Sequence, residues 1–280
     1  MQKLEVNEVS CKTVLHEMDG TGEYTANFYK GCSHGCIYCY APSLVHAERP
    51  WGSFVDAKVN APEVLRRELS KARRGVVFLS SASDPYQPVE AKYRLTRRAL
   101  EALLRKDFPV IILTRSPLVL RDLDLLKRFR WLRVGFSISS VPGRFYEPGV
   151  APVERRIETL RALDEAGIKT WVSMAPLVPG KMDIDVQQLL RRLKSAGVSS
   201  VSAGILRFNG YQESKEMFER VSGMDALELT AGAEETISGV RKQIQELGFE
   251  GRDSFFEWRE RGGMDEYLPR TGQVPAHPIN

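Results

Sequence analysis

Two hydrophobic periods alternate through the middle of the chain. Short runs rich in β-branched and aromatic residues end in polar or proline-containing loops, and longer amphipathic runs follow them. The first β-rich run, Tyr24 to Tyr29, ends at a cysteine loop. A helix is predicted from Pro62 to Arg73, with Asn60 available as cap and Pro62 in its first turn. Strand Val76 to Ser80 leads into the loop SASDPYQP, and helix Tyr93 to Leu104 leads to strand Val110 to Thr114. Helix Leu118 to Phe129 precedes strand Leu132 to Ser139. Helix Val153 to Glu165, closed by Gly167, precedes strand Lys169 to Met174. Helix Asp185 to Ser195 ends at Gly197, and the last strand is Ser199 to Leu206. Six strands, each but the last followed by a helix, read as repeated βαβ units. Such strands form an open doubly wound sheet or a barrel, and six repeats are fewer than the eight of a closed barrel.

The pattern changes after Leu206. One helix is predicted around Ala226 to Leu247, and the tail from Gly251 is irregular and rich in charge. The expected division is an N-terminal extension (1–19), a core (20–210) and a C-terminal helix with an irregular capping segment (211–280). A chain of 280 residues, 42% apolar and 27% charged, suits one large domain or one with a small appendage. No apolar run is long enough to span a bilayer. The N-terminus MQKLEVNEVSCK carries charges where a signal peptide has its apolar stretch. The expected location is the cytoplasm, with no membrane partner. The net charge of +4 is too modest for a dedicated nucleic-acid binder. The basic doublets fall on predicted helices, several with Glu neighbours, and read as solvated faces.

Four cysteines in such a protein do not make a disulfide framework. Three of them, Cys32, Cys36 and Cys39, lie in YKGCSHGCIYCYAP at residues 29–42. Three thiolates on a short loop can wrap one corner of an iron–sulfur cube, and Gly31 and Gly35 let the backbone turn around it. Three ligands leave one iron open to a small molecule. Two other readings compete. A zinc site would recruit His34 or His46, although the second ligand pair of structural zinc sites is missing. An iron–sulfur electron carrier or sensor would want a fourth cysteine. Cys11 is the one candidate, 21 residues upstream of Cys32.

The Cys-x3-Cys-x2-Cys spacing after a first strand, with Tyr38 before the last cysteine, resembles the radical S-adenosylmethionine superfamily. The resemblance implies an α/β fold, a partial (β/α)6 TIM-like barrel with a C-terminal helical extension. Within the superfamily the chain is similar to the group related to spore photoproduct lyase. The residues are Ser83-Asp84, Phe136-Ser137-Ile138-Ser139, Glu147-Pro148-Gly149 and Ala175-Pro176. The likeness covers roughly residues 20 to 210.

The resemblance implies a [4Fe–4S] cluster on Cys32, Cys36 and Cys39, with S-adenosylmethionine on the open iron. A donor such as flavodoxin or ferredoxin would reduce the cluster. Cleavage of a carbon–sulfur bond would then yield a 5′-deoxyadenosyl radical that abstracts hydrogen from the substrate. Tyr38 would lie by the adenine, Ser83 and Asp84 near the methionyl group, and Arg115 at the cofactor carboxylate, where relatives have a lysine. Ser137 would contact ribose or carboxylate, and Met174, Ala175 and Leu206 would pack the adenine. Plain alternatives stand beside these: a turn at Ser83-Asp84-Pro85, a surface ion pair for Arg115, core packing for the apolar residues.

Spore photoproduct lyase carries a hydrogen-donor cysteine just before its Ser-Asp pair. Here the stretch is Ser80-Ser81-Ala82-Ser83-Asp84. A hydroxyl O–H is far harder to break homolytically than a thiol S–H, which counts against DNA photolesion repair. Cys11 is expected as a buried small hydrophobe, or as a thiol hydrogen donor at the top of the barrel. His34 is expected to be structural or to hydrogen-bond a cluster sulfur. Tyr86, Gln87 and Tyr93 are expected to face a substrate cavity. The substrate class, small molecule or nucleic acid, stays open.

Overall fold

The computed structural model describes residues 3–252, apart from 19–22, 180, 183 and 209. The expected irregular tail lies almost wholly outside the described residues. The chain begins with β1 (Glu5–Val9), β2 (Leu15–Glu17), β3 (Tyr24–Ala26) and β4 (Tyr29–Lys30). Next come α1 (Ala41–Leu44), β5 (Phe54–Lys58), α2 (Ala61–Leu69), β6 (Val77–Leu79), α3 (Glu90–Tyr93), α4 (Leu95–Arg105) and β7 (Val110–Thr114). A 3-10 turn (Pro117–Asp122) precedes α5 (Leu123–Leu126), then β8 (Leu132–Ser137), α6 (Val153–Glu165), β9 (Lys169–Leu177), α7 (Val186–Ser195) and β10 (Ser200–Ile205). The chain continues through α8 (Gln212–Ser222), α9 (Ala226–Thr230), α10 (Ala233–Glu246) and β11 (Glu250–Arg252).

The six expected strands are present as β3, β6, β7, β8, β9 and β10, all parallel and adjacent in chain order. β11 adds a further parallel strand beyond β10, and β2 pairs antiparallel with β3 at the other edge. Among the described residues no ladder joins the two edges, so the barrel is partial and open. All six residues of β8 are buried, as befits a parallel strand covered on both faces. The helices pack their apolar stripes on the outer face. On α7 the stripe is Val186, Leu189, Leu190 and Leu193, and Asp185 caps the helix by accepting from the N–H of Gln188 at 2.9 Å.

The strand expected over 24–29 is split, because β4 leaves the main sheet to pair antiparallel with β5, which also pairs with β1. The helix expected from Tyr93 is interrupted at Arg94, whose φ is +51°. The buried Glu90 carboxylate accepts the N–H groups of Thr96 and Arg97 and so caps α4 from outside. The helix expected over 118–129 is a 3-10 turn and one α turn. Asp122, buried near the junction, accepts from Arg97 and Arg121. The C-terminal helix is broken at Gly232 (φ +75°), and α8 is additional. α8 docks on α1 through Ser214 and Ser43, whose hydroxyls are 3.0 Å apart. Its Phe218 is buried in an apolar cluster with Ile37, Val178 and Leu206.

Candidate iron–sulfur and cofactor site

The cysteine loop follows β4 and bends at Gly31 (φ +86°) and Gly35 (φ +60°). Space constrains it as firmly as the dihedrals do. A Cβ on Gly31 would strike the Phe54 carbonyl and come within 2.7 Å of its ring, and one on Gly149 would strike the Ser33 carbonyl and lie 2.9 Å from His34 Cα. Gly149 donates its N–H to the His34 carbonyl at 2.9 Å, and Ile37 donates to the Tyr146 carbonyl at 3.1 Å. The segment 146–149 therefore braces the loop from behind.

The loop closes one side of a cavity of about 330 Å³ at the C-terminal ends of β6 to β10. Cys32, Cys36, Cys39 and Tyr38 line it, together with Ser83, Asp84, Arg115, Ser137 and Leu206. The strand contributions follow the two-residue period: Phe78 and Ser80 at β6, Leu113 and Arg115 at β7, Ser137 on β8, Ser173 and Ala175 on β9. On the same faces Val76, Ile111 and Trp171 form an apolar plug, and Trp171 occupies the space a Cβ on Gly135 would need.

Two of the expected site residues lie elsewhere. Met174 is one position out of phase with Ser173 and Ala175, and its side chain is buried in the main core between sheet and helices. Cys11 packs against that core far along the N-terminal segment. Its N–H donates to Asn60 Oδ1 at 2.8 Å, and its carbonyl accepts from Asn60 Nδ2. It does not line the cavity. Tyr86, Gln87 and Tyr93 do not line it either. Tyr86 and Gln87 are fully buried, and Tyr93 packs against the main core.

Asp84 lines the cavity with both oxygens engaged. Oδ1 accepts from Thr114 Oγ1 at 2.6 Å and from the Tyr86 N–H at 2.8 Å, and Oδ2 accepts from the Arg115 N–H at 2.7 Å. His34 Nδ1 stands 3.4 Å from Oδ2. Burial by itself would raise the Asp84 pKa, but His34, Thr114 and the Tyr86 N–H outweigh it and hold the carboxyl below the usual range. The turn and the site readings of Ser83-Asp84 are thus one arrangement: the Asx-type turn at Tyr86 is what fixes the loop at the cavity.

Glu147, quoted above only as part of a resemblance, proves central. Its buried carboxylate accepts from Tyr38 Oη, from Arg156 Nη2 at 2.7 Å and from Ser139 Oγ at 3.3 Å, and Arg115 Nε lies 3.8 Å away. Burial of Glu147 was not legible, because its partners come from four separate segments. Ser173 could have been found from the alternation on β9 alone.

The donor set fits a cluster and a polar organic cofactor. Burial pushes the Cys36 thiol up and the Cys39 thiol up to about 11, while the nearby Arg115 guanidinium draws both down. Buried thiolates therefore need positive charge beside them, which iron supplies. Among the described residues no group of three or more His, Cys, Asp or Glu is arranged to hold a single metal ion. Ligands of a cubane sit on separate irons and stand farther apart than those of one ion. Arg115 Nε, Ser80 Oγ and Ser83 Oγ are buried at this cavity without a hydrogen-bond partner in the protein. Buried polar groups are almost always satisfied, so such atoms mark where ligand acceptors belong. Among the described residues no helix is long and apolar enough to cross a membrane.

Comparison with known proteins agrees. The family model described as the Radical SAM superfamily matches residues 26–213, well over half of the chain. An uncharacterized protein of Methanocaldococcus jannaschii is 35% identical over 189 residues, covering 65% of this chain and 71% of that protein. A radical SAM Nalpha-GlyT isomerase of Pseudomonas phage M6 is 29% identical over 245 residues, 83% of this chain but only 50% of that protein. A spore photoproduct lyase complexed with dinucleoside spore photoproduct shares the fold, with a TM-score of 0.68 at 18% identity over 88% of this chain and 80% of that one. Since the match spans both the cysteine loop and the parallel strands whose ends it closes, the chain belongs to the radical SAM superfamily.

Proposed function

We propose that Cys32, Cys36 and Cys39 hold a [4Fe–4S] cluster and that the cavity beside them binds S-adenosylmethionine for reductive cleavage. The observation that carries this reading is the convergence of three thiols with the unpartnered Arg115 Nε and Ser83 Oγ on one cavity. Bound there, the reduced cluster would give one electron to the sulfonium, releasing methionine and a 5′-deoxyadenosyl radical that takes a hydrogen atom from substrate. The protein's own part is binding and orientation. Arg115 offers a guanidinium to the cofactor carboxylate, Ser83 and Ser137 offer hydroxyls, and Tyr38 and Leu206 flank the adenosine side. Phe78 and Leu113, packed against the Trp171 cluster, give the cavity apolar walls.

The reductant is a one-electron donor of the flavodoxin or ferredoxin class. Photolesion repair is the weaker reading. The lyase neighbour shares only the fold, residues 80–84 hold no thiol, and Cys11 is away from the cavity. The test is anaerobic reconstitution, reduction and addition of S-adenosylmethionine. Formation of 5′-deoxyadenosine, lost in Cys32→Ala, Cys36→Ala and Cys39→Ala, supports the reading. A full cluster with no cleavage product, with or without candidate substrates, would favour an electron carrier instead.

A further inference from the structure

The loop SASDPYQP has an unexpected partner. Its backbone turns in threes: Gln87 N–H donates to the Asp84 carbonyl at 3.3 Å, and Glu90 N–H donates to the Gln87 carbonyl at 2.9 Å. Three residues per turn stack positions 84, 87 and 90 on one side. All three side chains reach the stretch from β4 into the cysteine loop, in antiparallel order. Asp84 meets His34 at 3.4 Å, and Glu90 accepts from the Tyr29 hydroxyl. Gln87 lies between them and brackets Cys32. Its Oε1 accepts the Ser33 N–H at 2.9 Å, and its Nε2 donates to the Gly31 carbonyl at 3.2 Å.

Gln87 is fully buried. A primary amide is the side chain that offers an acceptor and a donor on one rigid plane. A carboxylate could serve Ser33 but not Gly31. The groups it serves are the peptide units on either side of Cys32, and buried peptide groups must be satisfied. Their pairing with Gln87 fixes the direction of the Cys32 side chain. Glu90 is held in turn by Arg121 at 2.8 Å, so the grip is anchored in the core.

We propose that the segment Asp84–Glu90 is a template that sets the Cys32 arm of the cysteine loop, with Gln87 as the positioning residue for Cys32. This rests on the reading of Cys32 as a cluster ligand. Gln87, expected to face substrate, thus serves the cluster side instead. The role reaches the cluster through the direction of one ligand and through the hydrogen-bonding of its flanking peptides. Both act on the cluster's potential and on iron retention.

The test compares reconstituted wild type with Gln87→Met and Gln87→Glu. Three readouts are needed: the EPR spectrum of the reduced cluster, its midpoint potential, and the rate of iron release to a ferrous chelator. Gln87→Met loses both hydrogen bonds and should release iron about fivefold faster or more, since a net hydrogen bond is worth roughly that factor. Its EPR signal and potential should shift. Gln87→Glu, which keeps the Ser33 contact, should fall between. Ile157→Val, a core change away from the site, should leave all three cluster readouts at wild type, which separates positioning from general stability. A wild-type cluster signature and release rate in Gln87→Met would overturn the proposal. If that variant does not fold, the same result in Gln87→Glu overturns it. Failure of the wild type itself to hold a [4Fe–4S] cluster would overturn both this proposal and the reading it rests on.

Discussion

Glu147 and Arg156 form an ion pair at 2.7 Å with both side chains only 1% exposed. The pair joins α6 to the segment that braces the cysteine loop, and Arg156 Nη1 also donates to the Ser137 carbonyl at 2.7 Å at the end of β8. Removing one partner of a buried pair leaves the other charge uncompensated. Glu147→Ala should therefore cost about 3–5 kcal/mol in urea unfolding of the apoprotein. It also releases the Tyr38 hydroxyl. Arg155→Ala, next in sequence but in an exposed pair with Glu158, should cost less than about 1 kcal/mol. Equal losses in the two variants would mean that the buried network carries no special weight.

Gly149 is where the brace touches the loop. A methyl group there would overlap the Ser33 carbonyl and the His34 backbone, and neither is the free end of a flexible side chain. Gly149→Ala should destabilise by about 1–3 kcal/mol, the usual range for overpacking, and should lower the iron bound after reconstitution. Gly239 offers the contrast. It lies inside α10, and its Cβ would meet nothing within 4 Å. Gly239→Ala should be stabilising by about 0.5–1 kcal/mol with unchanged iron content.

Asp84 gives a pH signature. Its folded-state pKa lies below its unfolded value, so the stability it contributes is fully present well above the unfolded value of about 4. That contribution is lost as pH falls through the depressed folded pKa. Asp84→Asn keeps the shape and removes the titration. The stability gap between wild-type and Asp84→Asn apoproteins should be widest near pH 6 and should narrow steadily towards pH 3. A gap independent of pH in urea titrations would show that the carboxylate charge is not what holds the loop.

The parallel core was legible because period and punctuation agree there. β7 and α6 occur with the bounds the pattern predicts, since each is a clean apolar run with a clear stop. The short elements were less legible, for two reasons. β1, β4 and β5 build a second small sheet whose strands carry no alternation of their own, and β11 is three residues long. The breaks at Arg94 and Gly232 come from the Glu90 side chain, which caps α4 from the preceding short helix, and from a glycine inside a helical pattern. At the site, the thiols, Ser83, Asp84, Arg115 and Ser137 could be placed because each ends a strand or follows one. Met174 is one residue out of phase with Ser173 and Ala175, which on a strand reverses the face, so it takes the core-packing alternative. Gln87 acts on Gly31 and Ser33, and Glu147 on Tyr38, all far away in sequence, and single-sequence periodicity holds no record of such pairs.

Cys11 is a packing residue in this structure. It is half-buried, and its own backbone, rather than its thiol, makes the bonds to Asn60. Burial raises its pKa, which makes it a poor thiolate. Cys11→Ala should lower stability by about 1 kcal/mol, the scale of one lost buried methylene-sized group, and should leave 5′-deoxyadenosine formation unchanged. Loss of turnover on the true substrate, with cleavage of the cofactor intact, would restore the hydrogen-donor role and would require Cys11 to move to the cavity.

Arg115 is the residue through which the proposed cofactor site is tested most directly. Its backbone N–H is held by Asp84, so the end of β7 is fixed, while its side chain lines the cavity and stays 23% exposed. Nε has no hydrogen-bond partner in the protein, and Glu147 at 3.8 Å is an ion-pair neighbour too far for a hydrogen bond. The side chain is thus positioned with donating capacity to spare, and a carboxylate is its best complement. Arg115→Met should weaken S-adenosylmethionine binding to the reconstituted protein by roughly 10- to 100-fold, the worth of a hydrogen bond to a charged group. Arg115→Lys should recover part of that, because a point charge replaces the fork without its geometry. The iron content of Arg115→Met should stay near wild type, since the three thiols remain. Calorimetry on anaerobic protein separates the two effects. Unchanged affinity in Arg115→Met would remove Arg115 from the cofactor site and leave its guanidinium as a counter-charge for Cys36 and Cys39 alone.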